Sequence, residues 1–386
     1  MKNQKHLFSL ADDVHFLNCA TMGPTLKSAE EAGMQGLLRK SQPYNILQDH
    51  FFDTIESVKT EFSKLIHCTD NQRIAIMGSV SYGMATLTKN ILKKGLAQAG
   101  KKVLMVGEEF PSLVYAWDEL KEHDVQVELI TAPDTLENRA IKWNEKLLQA
   151  IDNQTLLVCI SPTHWSDGTL FDLLAIGARC RTVGALFAID GTQHIGAYPF
   201  DIQAVKADFV VCATYKWLLS PYGNALAYLS EWFDDGSPLE QNWAMRKNSN
   251  DFKNLMNYQS EYRPKAYRYN IGEMSNFINL PMLAESLRQL NKWGISNIQN
   301  YAKSLINRPL QSLSEAGFLI ENEGKRANHL FGIRLPKGMD LAPIQTALLA
   351  EKVYVSYRGT AIRVSVHVWN DAEDVAILAD ILKTHQ

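Results

Sequence analysis

The stretch "CATYKWLLSPYG", Cys212 to Gly223, sets a lysine in company unusual for a surface charge. Lys216 follows the apolar run "ADFVVCA" and is flanked by Tyr215, Trp217, Leu218 and Leu219. Lysine is rarely buried unless it is paired or chemically employed. A desolvated amine can act as a nucleophile or a base. Other chemistry-bearing residues also follow apolar runs. Asp190 closes "ALFAID" and Gln193 comes three residues later; "SPTHWSDG" offers His164 and Asp167; Phe110 lies in "EEFPSLVYAW". "GSVSYG", from Gly78, is a small hydroxyl-bearing turn of the kind that can hold a phosphate at a helix N-terminus, although such turns more often only cap a helix.

These residues need elements to position them. "RIAIMG", "KKVLMVG", "VQVELI", "TLLVCISP", "ALFAID", "DFVVCA" and "NALAYL" read as strands, and helical stretches separate most of them. A helix is expected from about Gly83, another over "SLVYAWDELKEH", and an amphipathic one through Phe51, Ile55, Val58, Phe62 and Leu65. Near-continuous apolar strands alternating with helices indicate a mostly parallel sheet covered on both faces. Ligands of such sheets bind outside the carboxyl ends of the strands. A phosphate-holding turn, a flat apolar residue, an acid and a lysine therefore converge at one sheet edge. Pyridoxal phosphate needs this set: a lysine for the Schiff base, an acid for the pyridinium nitrogen and a helix N-terminus for the phosphate.

Beyond the sheet, the polar stretch "NSNDFKNLMNYQSEYRPKAYRYNIGEMSN" breaks the rhythm, and a long helical region runs from about Phe277 to Leu313. The strand "HLFGIRL", the helix "LAPIQTALLAEK" and the strands "VYVSY" and "AIRVSV" follow. A last helix is expected to open at Asn370 with Glu373 in a capping box, burying Val375, Leu378 and Ile381. The 386 residues are too many for one simple core, so two domains are expected. Composition is that of a soluble globular protein, with 46% hydrophobic and 21% charged residues. A net charge of −3 without a basic stripe gives no reason to expect nucleic acid or a membrane surface as partner. No signal peptide or membrane span is read. Five widely spaced cysteines suggest neither disulfides nor zinc and fit a reducing cytoplasm.

Taken in order, "HFLNCATMGP", "EFPSLVYAW", "HWSDGTLFDL", "AIDGTQHIGAYPFDIQAVKADFVVCATYKWLLSPYG" and "AIRVSVHVWNDAEDV" resemble the class V aminotransferase family, whose relatives include cysteine desulfurases, kynureninase and isopenicillin N epimerase. The resemblance implies the fold type I architecture of pyridoxal 5'-phosphate enzymes: a large α/β domain with a mostly parallel seven-stranded sheet and a small α+β C-terminal domain. It divides the chain into an N-terminal segment entering the active site (1–25), the cofactor domain (26–265), and an interdomain helix with the small domain (266–386). It implies that Lys216 carries the cofactor and Asp190 partners its ring nitrogen, with Gln193 at the ring oxygen and Phe110 stacked on the ring. Ser79, Val80, Thr214 and Tyr215 would hold the phosphate. His164 would contact the ring or fix its turn. Arg363 would clamp the substrate carboxylate, with Asn18 also on the substrate side. A cytoplasmic homodimer acting on a small amino acid is implied as well.

The pattern also departs from its relatives. "EKVYVSYRGTAIRVSV" has no cysteine, and no cysteine follows Cys212, so persulfide chemistry of the desulfurase kind is not expected. Glu273 replaces a threonine that in the family touches the partner's cofactor phosphate, so that contact is not carried over; Ser275 or Asn276 could replace it. "TYKW" is closer to kynureninase-like and epimerase-like members. Transamination is the default expectation, with elimination and epimerisation open. A non-catalytic cofactor-binding relative is the rival of another class. A nucleotide-binding oxidoreductase lacks its G-x-G-x-x-G turn here.

Overall fold

The computed structural model describes residues 1–135, 137–359 and 361–386. The strands are β1 (His15–Phe16), β2 (Ile74–Met77), β3 (Lys102–Val106), β4 (Gln126–Ile130), β5 (Thr155–Ile160), β6 (Leu186–Asp190), β7 (Phe209–Ala213), β8 (Ala225–Leu229), β9 (Leu330–Arg334), β10 (Val353–Tyr354), β11 (Ser356–Arg358) and β12 (Ala361–Ser365). Seven of them form one sheet in the order β2-β8-β7-β6-β5-β3-β4. β8 runs antiparallel to both β2 and β7, and the other neighbours are parallel. Central strands such as β5, β6 and β7 are buried at every position, which is why they read as unbroken apolar runs. The edge strand β4 instead exposes Gln126 and Glu128, polar residues that discourage further pairing.

From β3 the chain steps outward to β4, then returns to lay β5 on the other side of β3. Such a reversal opens a crevice at the carboxyl ends of the strands. Glu109 and Phe110 follow β3 there, Ser161 to Trp165 follow β5, Asp190 ends β6, and Lys216 follows β7.

Each face of the sheet has its own cover. Ile55, Val58 and Phe62 pack with Leu280, Leu283 and Leu287 in one core, and Met84, Leu87 and Ile91 pack with Trp117 and Leu120 in the other. A third core gathers Leu305, Leu313, Ile333, Val364, Val375 and Leu378 around the three-stranded sheet β11-β12-β9, and Leu17 enters it from the N-terminal segment. That segment ties the two sheets together. β1 pairs with β10, Ala20 N donates to Ser365 Oγ at 2.9 Å, and Gly23 N donates to the carbonyl of Tyr215 at 3.0 Å.

Several element boundaries depart from the sequence expectation. The helix expected from Gly83 is Val80–Lys93, because Ser79 caps it by accepting from Tyr82 N at 3.0 Å. "SLVYAWDELKEH" is two short helices, Pro111–Tyr115 and Asp118–Lys121. Between them the Ala116 carbonyl accepts from the Thr88 hydroxyl and Trp117 is fully buried. The long helical region divides into Asn279–Trp293 and Ile295–Glu315 at Gly294, whose φ of +77° suits glycine. "VYVSY" splits into β10 and β11 because its halves pair with different partners, β1 and β12. The last helix, Ala372–Thr384, is capped by Asp371 with Asp374 rather than by Asn370 with Glu373. The Asn370 amide is used elsewhere, donating to the Phe16 carbonyl and to Asp374. Its buried face includes Val375, Leu378 and Leu382, while Ile381 is half-buried.

Candidate active site

Lys216 is presented by a tight loop. Ser220 N returns to the Thr214 carbonyl at 3.1 Å, and Leu219 N returns to the carbonyl of Lys216 itself at 3.2 Å. The side chain enters a cavity of about 220 Å³, its Nζ 5.9 Å from the Phe110 ring centroid and 5.5 Å from that of Tyr215. Burial pulls the ammonium down from 10.5 to about 8; Asp190 opposes that shift and Arg363 adds to it. A substantial neutral fraction near neutrality is what a nucleophile or base requires.

Asp190 is buried at the same cavity, and its Oδ1 accepts from Thr192 N at 2.9 Å. Burial holds its carboxyl above the ordinary range, although Thr192 and Lys216 oppose this. It makes no salt bridge among the described residues. A cationic ring nitrogen would supply the missing counter-charge. Gln193 also lines the cavity with both ends of its amide engaged: Nε2 donates to the Ala20 carbonyl at 3.0 Å, and Oε1 accepts from Trp217 Nε1 at 2.8 Å. Ser79 and Val80 lie at the wall where the helix Val80–Lys93 begins. The first N–H groups of a helix lack intrahelical partners and favour an anion. Phe110 and Tyr215 line the cavity too.

Arg363 lies on β12 and is 1% exposed. Its three nitrogens donate only to neutral oxygens: Nε to Ser356 Oγ at 2.9 Å, one terminal nitrogen to the Trp165 carbonyl at 3.1 Å and the other to Thr21 Oγ1 at 2.7 Å. Burial and the neighbouring Arg358 bring the guanidinium down to about 9. Asn18 stands one step further back: its Oδ1 accepts from that same Thr21 hydroxyl at 2.8 Å.

Four of the expected site residues lie outside the cavity lining: Arg363 and Asn18, described above, and Thr214 and His164. Thr214 is fully buried and lies outside the cavity lining, its hydroxyl donating to the Asn224 carbonyl at 2.9 Å. Its hydroxyl fastens the loop. His164 is also buried outside the lining. Its Nε2 is 3.3 Å from the Gly107 carbonyl, its Nδ1 lies 2.9 Å from Ser166 Oγ and 3.5 Å from Asp167, and Trp143 packs on its ring at 5.0 Å. Burial would lower its basicity, but Asp167 outweighs burial and the net shift is upward. His164 therefore fixes its turn.

Sequence reasoning also missed residues that the fold delivers. Trp165 lines the cavity, edge-on to Phe110 at 5.4 Å, with its Nε1 donating to the Glu108 carbonyl at 2.7 Å. An exposed-type indole between a strand end and an Asp-Gly turn was the available signal. Tyr222 and Asn224 close the side near Tyr215. Glu109 is buried beside the cavity, accepting from Ser161 Oγ at 3.0 Å and from Phe110 N at 2.9 Å, and burial pushes its carboxyl up.

A buried amine and a buried, uncompensated acid at a helix-start cavity on the sheet's carboxyl edge define a pyridoxal-phosphate enzyme of fold type I. Residues 41–378 match the family described as aminotransferase class-V, and the chain belongs to that family. Its cofactor is pyridoxal phosphate, and its chemistry is of the aminotransferase or lyase type. Among curated proteins the chain is 26% identical over 322 residues to the uncharacterized aminotransferase YcbU of Bacillus subtilis, covering 83% of this chain and 80% of that one. Among solved structures it resembles the cysteine desulfurase CsdA of Escherichia coli, with a TM-score of 0.81, 15% identity and coverage of 99% and 97%. The apo cysteine desulfurase of Thermococcus onnurineus NA1 gives a TM-score of 0.82 at 18% identity, with coverage of 100% and 98%. No helix among the described residues is long and apolar enough to cross a membrane.

Proposed function

We propose that this chain transaminates an α-amino acid, with Lys216 moving the Cα proton. The observation that carries the reading is the Lys216 amine, desolvated to about 8 and facing the cavity between Phe110 and Asp190. When bound, pyridoxal phosphate supplies an electron sink for the charge left at Cα. The chain's own residues do the rest. Asp190 would hold a proton on the ring nitrogen by its charge. Ser79 and Val80, with the helix start behind them, would hold the phosphate. Phe110 takes one ring face, and Gln193 is held in one orientation by Ala20 and Trp217. Arg363 offers a planar fork to the substrate carboxylate, already aimed by Ser356, Trp165 and Thr21. Once the substrate's amino group has displaced Lys216 from the cofactor, its freed Nζ would accept the Cα proton and could return it elsewhere.

The hairpin β11–β12 bears no cysteine, which counts against sulfur transfer. Met34, Leu37 and Leu38 are exposed along one face of the helix Lys27–Ser41, which suits a homodimer. The reading is tested by incubating holoprotein with single amino acids in deuterated water and following both Cα exchange and the products. Exchange accompanied by a 2-oxo acid that keeps the substrate's whole side chain supports transamination. Exchange with racemisation alone, or with loss of the side chain, would replace it by epimerase or lyase chemistry. Undiminished exchange in Lys216→Ala would remove the lysine from its role.

A further inference from the structure

We propose that Arg358 is a specificity residue that binds a distal carboxylate, so that the substrate is an amino acid with an acidic side chain. This rests on the reading of Arg363 as the clamp for the α-carboxylate.

Neither Arg358 nor Arg363 lines the Lys216 cavity, but both guanidiniums stand at its Trp165 wall. Trp165 is shared between the Lys216 cavity and an adjoining cavity of about 400 Å³, whose charged lining residues are Arg334, Arg358, Glu108, Glu109 and Asp167. Two guanidiniums lie at its indole ring, Arg358 at 4.8 Å and Arg363 at 6.0 Å from the ring centroid. The other arginine lining the adjoining cavity, Arg334, is answered, and so is Arg139, which lies outside the lining. Arg334 pairs with Asp167 at 3.3 Å, and Arg139 lies 3.5 Å from Glu108 and 3.8 Å from Asp167.

Arg358 has no such partner among the described residues. Its only hydrogen bond is to the neighbouring Tyr357 carbonyl at 2.6 Å, and its Nε is buried with no acceptor at all. Burial alone lowers its basicity, and its charge depresses Arg363 and Lys216. A guanidinium beside an indole, with its Nε and one terminal nitrogen unpaired, has donors left for a planar anion. A substrate with a single carboxylate leaves those donors empty. A dicarboxylic amino acid would satisfy Arg363 with one end and Arg358 with the other, with Trp165, which lies beside both guanidiniums, as a common platform.

The test is calorimetric titration of the holoprotein with glutarate and with butyrate, which need no turnover, in wild type, Arg358→Gln and Arg358→Lys. A charged hydrogen-bonded contact is worth enough to make glutarate bind about tenfold or more tighter than butyrate in wild type. The ratio should collapse in Arg358→Gln and recover in part in Arg358→Lys. Because the ratio is taken within each protein, a general loss of stability does not imitate it. Equal binding of the two acids by wild type, or an unchanged ratio in Arg358→Gln, overturns the proposal. In parallel, the visible spectrum is titrated with glutamate and glutamine. A cofactor band that responds to both without preferring glutamate contradicts the role of Arg358. Absence of a cofactor band contradicts the functional reading instead, and leaves the calorimetric ratio to decide on Arg358.

Discussion

Replacing Gly23 by alanine should impair catalysis from outside the cavity. Gly23 N donates to the Tyr215 carbonyl, so the N-terminal segment lies directly on the lysine loop. A Cβ on Gly23 would stand 2.1 Å from the Lys216 carbonyl oxygen and 3.1 Å from both the Lys216 carbonyl carbon and Leu219 Cδ2. Non-bonded carbons settle at about 3.5–4.0 Å, so segment and loop must part by roughly 1 Å. The obstacle is backbone and cannot rotate away. Overpacking of this kind costs about 1–3 kcal/mol of stability, and a misplacement of ~1 Å at a reacting group costs on the order of 10²-fold in rate. The assay is kcat/KM with the best amino acid, alongside thermal unfolding and cofactor content. Gly95→Ala is the control: nothing lies within 4 Å of its Cβ position, and its φ of +66° imposes only backbone strain. It should lose about 1 kcal/mol or a little more of stability with no change in kcat/KM. The reasoning is refuted if Gly23→Ala keeps kcat/KM within about twofold of wild type and melts with it.

In cofactor-free protein, Lys216 titrates near 8 when folded against 10.5 ordinarily, so the unfolded chain binds more protons between those values. Stability should therefore rise with pH across that window and be flat below it; Lys216→Met should abolish the rise in urea melts, and a persisting rise would locate the cause elsewhere. Trp217→Phe strands the buried Gln193 Oε1 and should cost about 1–3 kcal/mol in chemical denaturation; an unchanged midpoint would show that the bond does not hold Gln193. Asp167 is held below 3.8 by His164 and its turn in spite of burial, and it pairs with Arg334. Its contribution is complete above 3.8 and fades as pH falls below it, so Asp167→Asn should lose stability at neutral pH and show a shallower acid transition; parallel acid curves would contradict that assignment.

The central strands were legible because β5, β6 and β7 are buried at every position and stand in the sequence as apolar runs, β6 closed by Asp190 and β7 followed by Lys216. That position marked Asp190 and Lys216 as candidates, and the family resemblance supplied their expected roles. What escaped was decided by contacts distant in sequence. His164 has the chemistry of a ring contact, but Asp167, Ser166 and Trp143 draw it into the turn. The Thr214 hydroxyl is captured by Asn224 at the far side of the loop. Trp165 belongs to a motif that was read for its histidine and aspartate, and its place in the wall depends on Glu108, Phe110 and β12 meeting there. Asn370 was expected as a cap because its spacing to Glu373 is right, yet the N-terminal segment claims its side chain. Gly294 lay inside one long helical pattern, and only its backbone conformation reveals the break.

The central claim is that Lys216 carries the cofactor. It is tested most directly by reducing the yellow holoprotein with borohydride, digesting it and locating the pyridoxyl-phosphate mass by peptide sequencing. The account predicts a single modified lysine, Lys216, in the peptide around "TYKW", and no modification in Lys216→Ala. A label on another lysine, or a wild-type protein that stays unlabelled when saturated with pyridoxal phosphate, would contradict it.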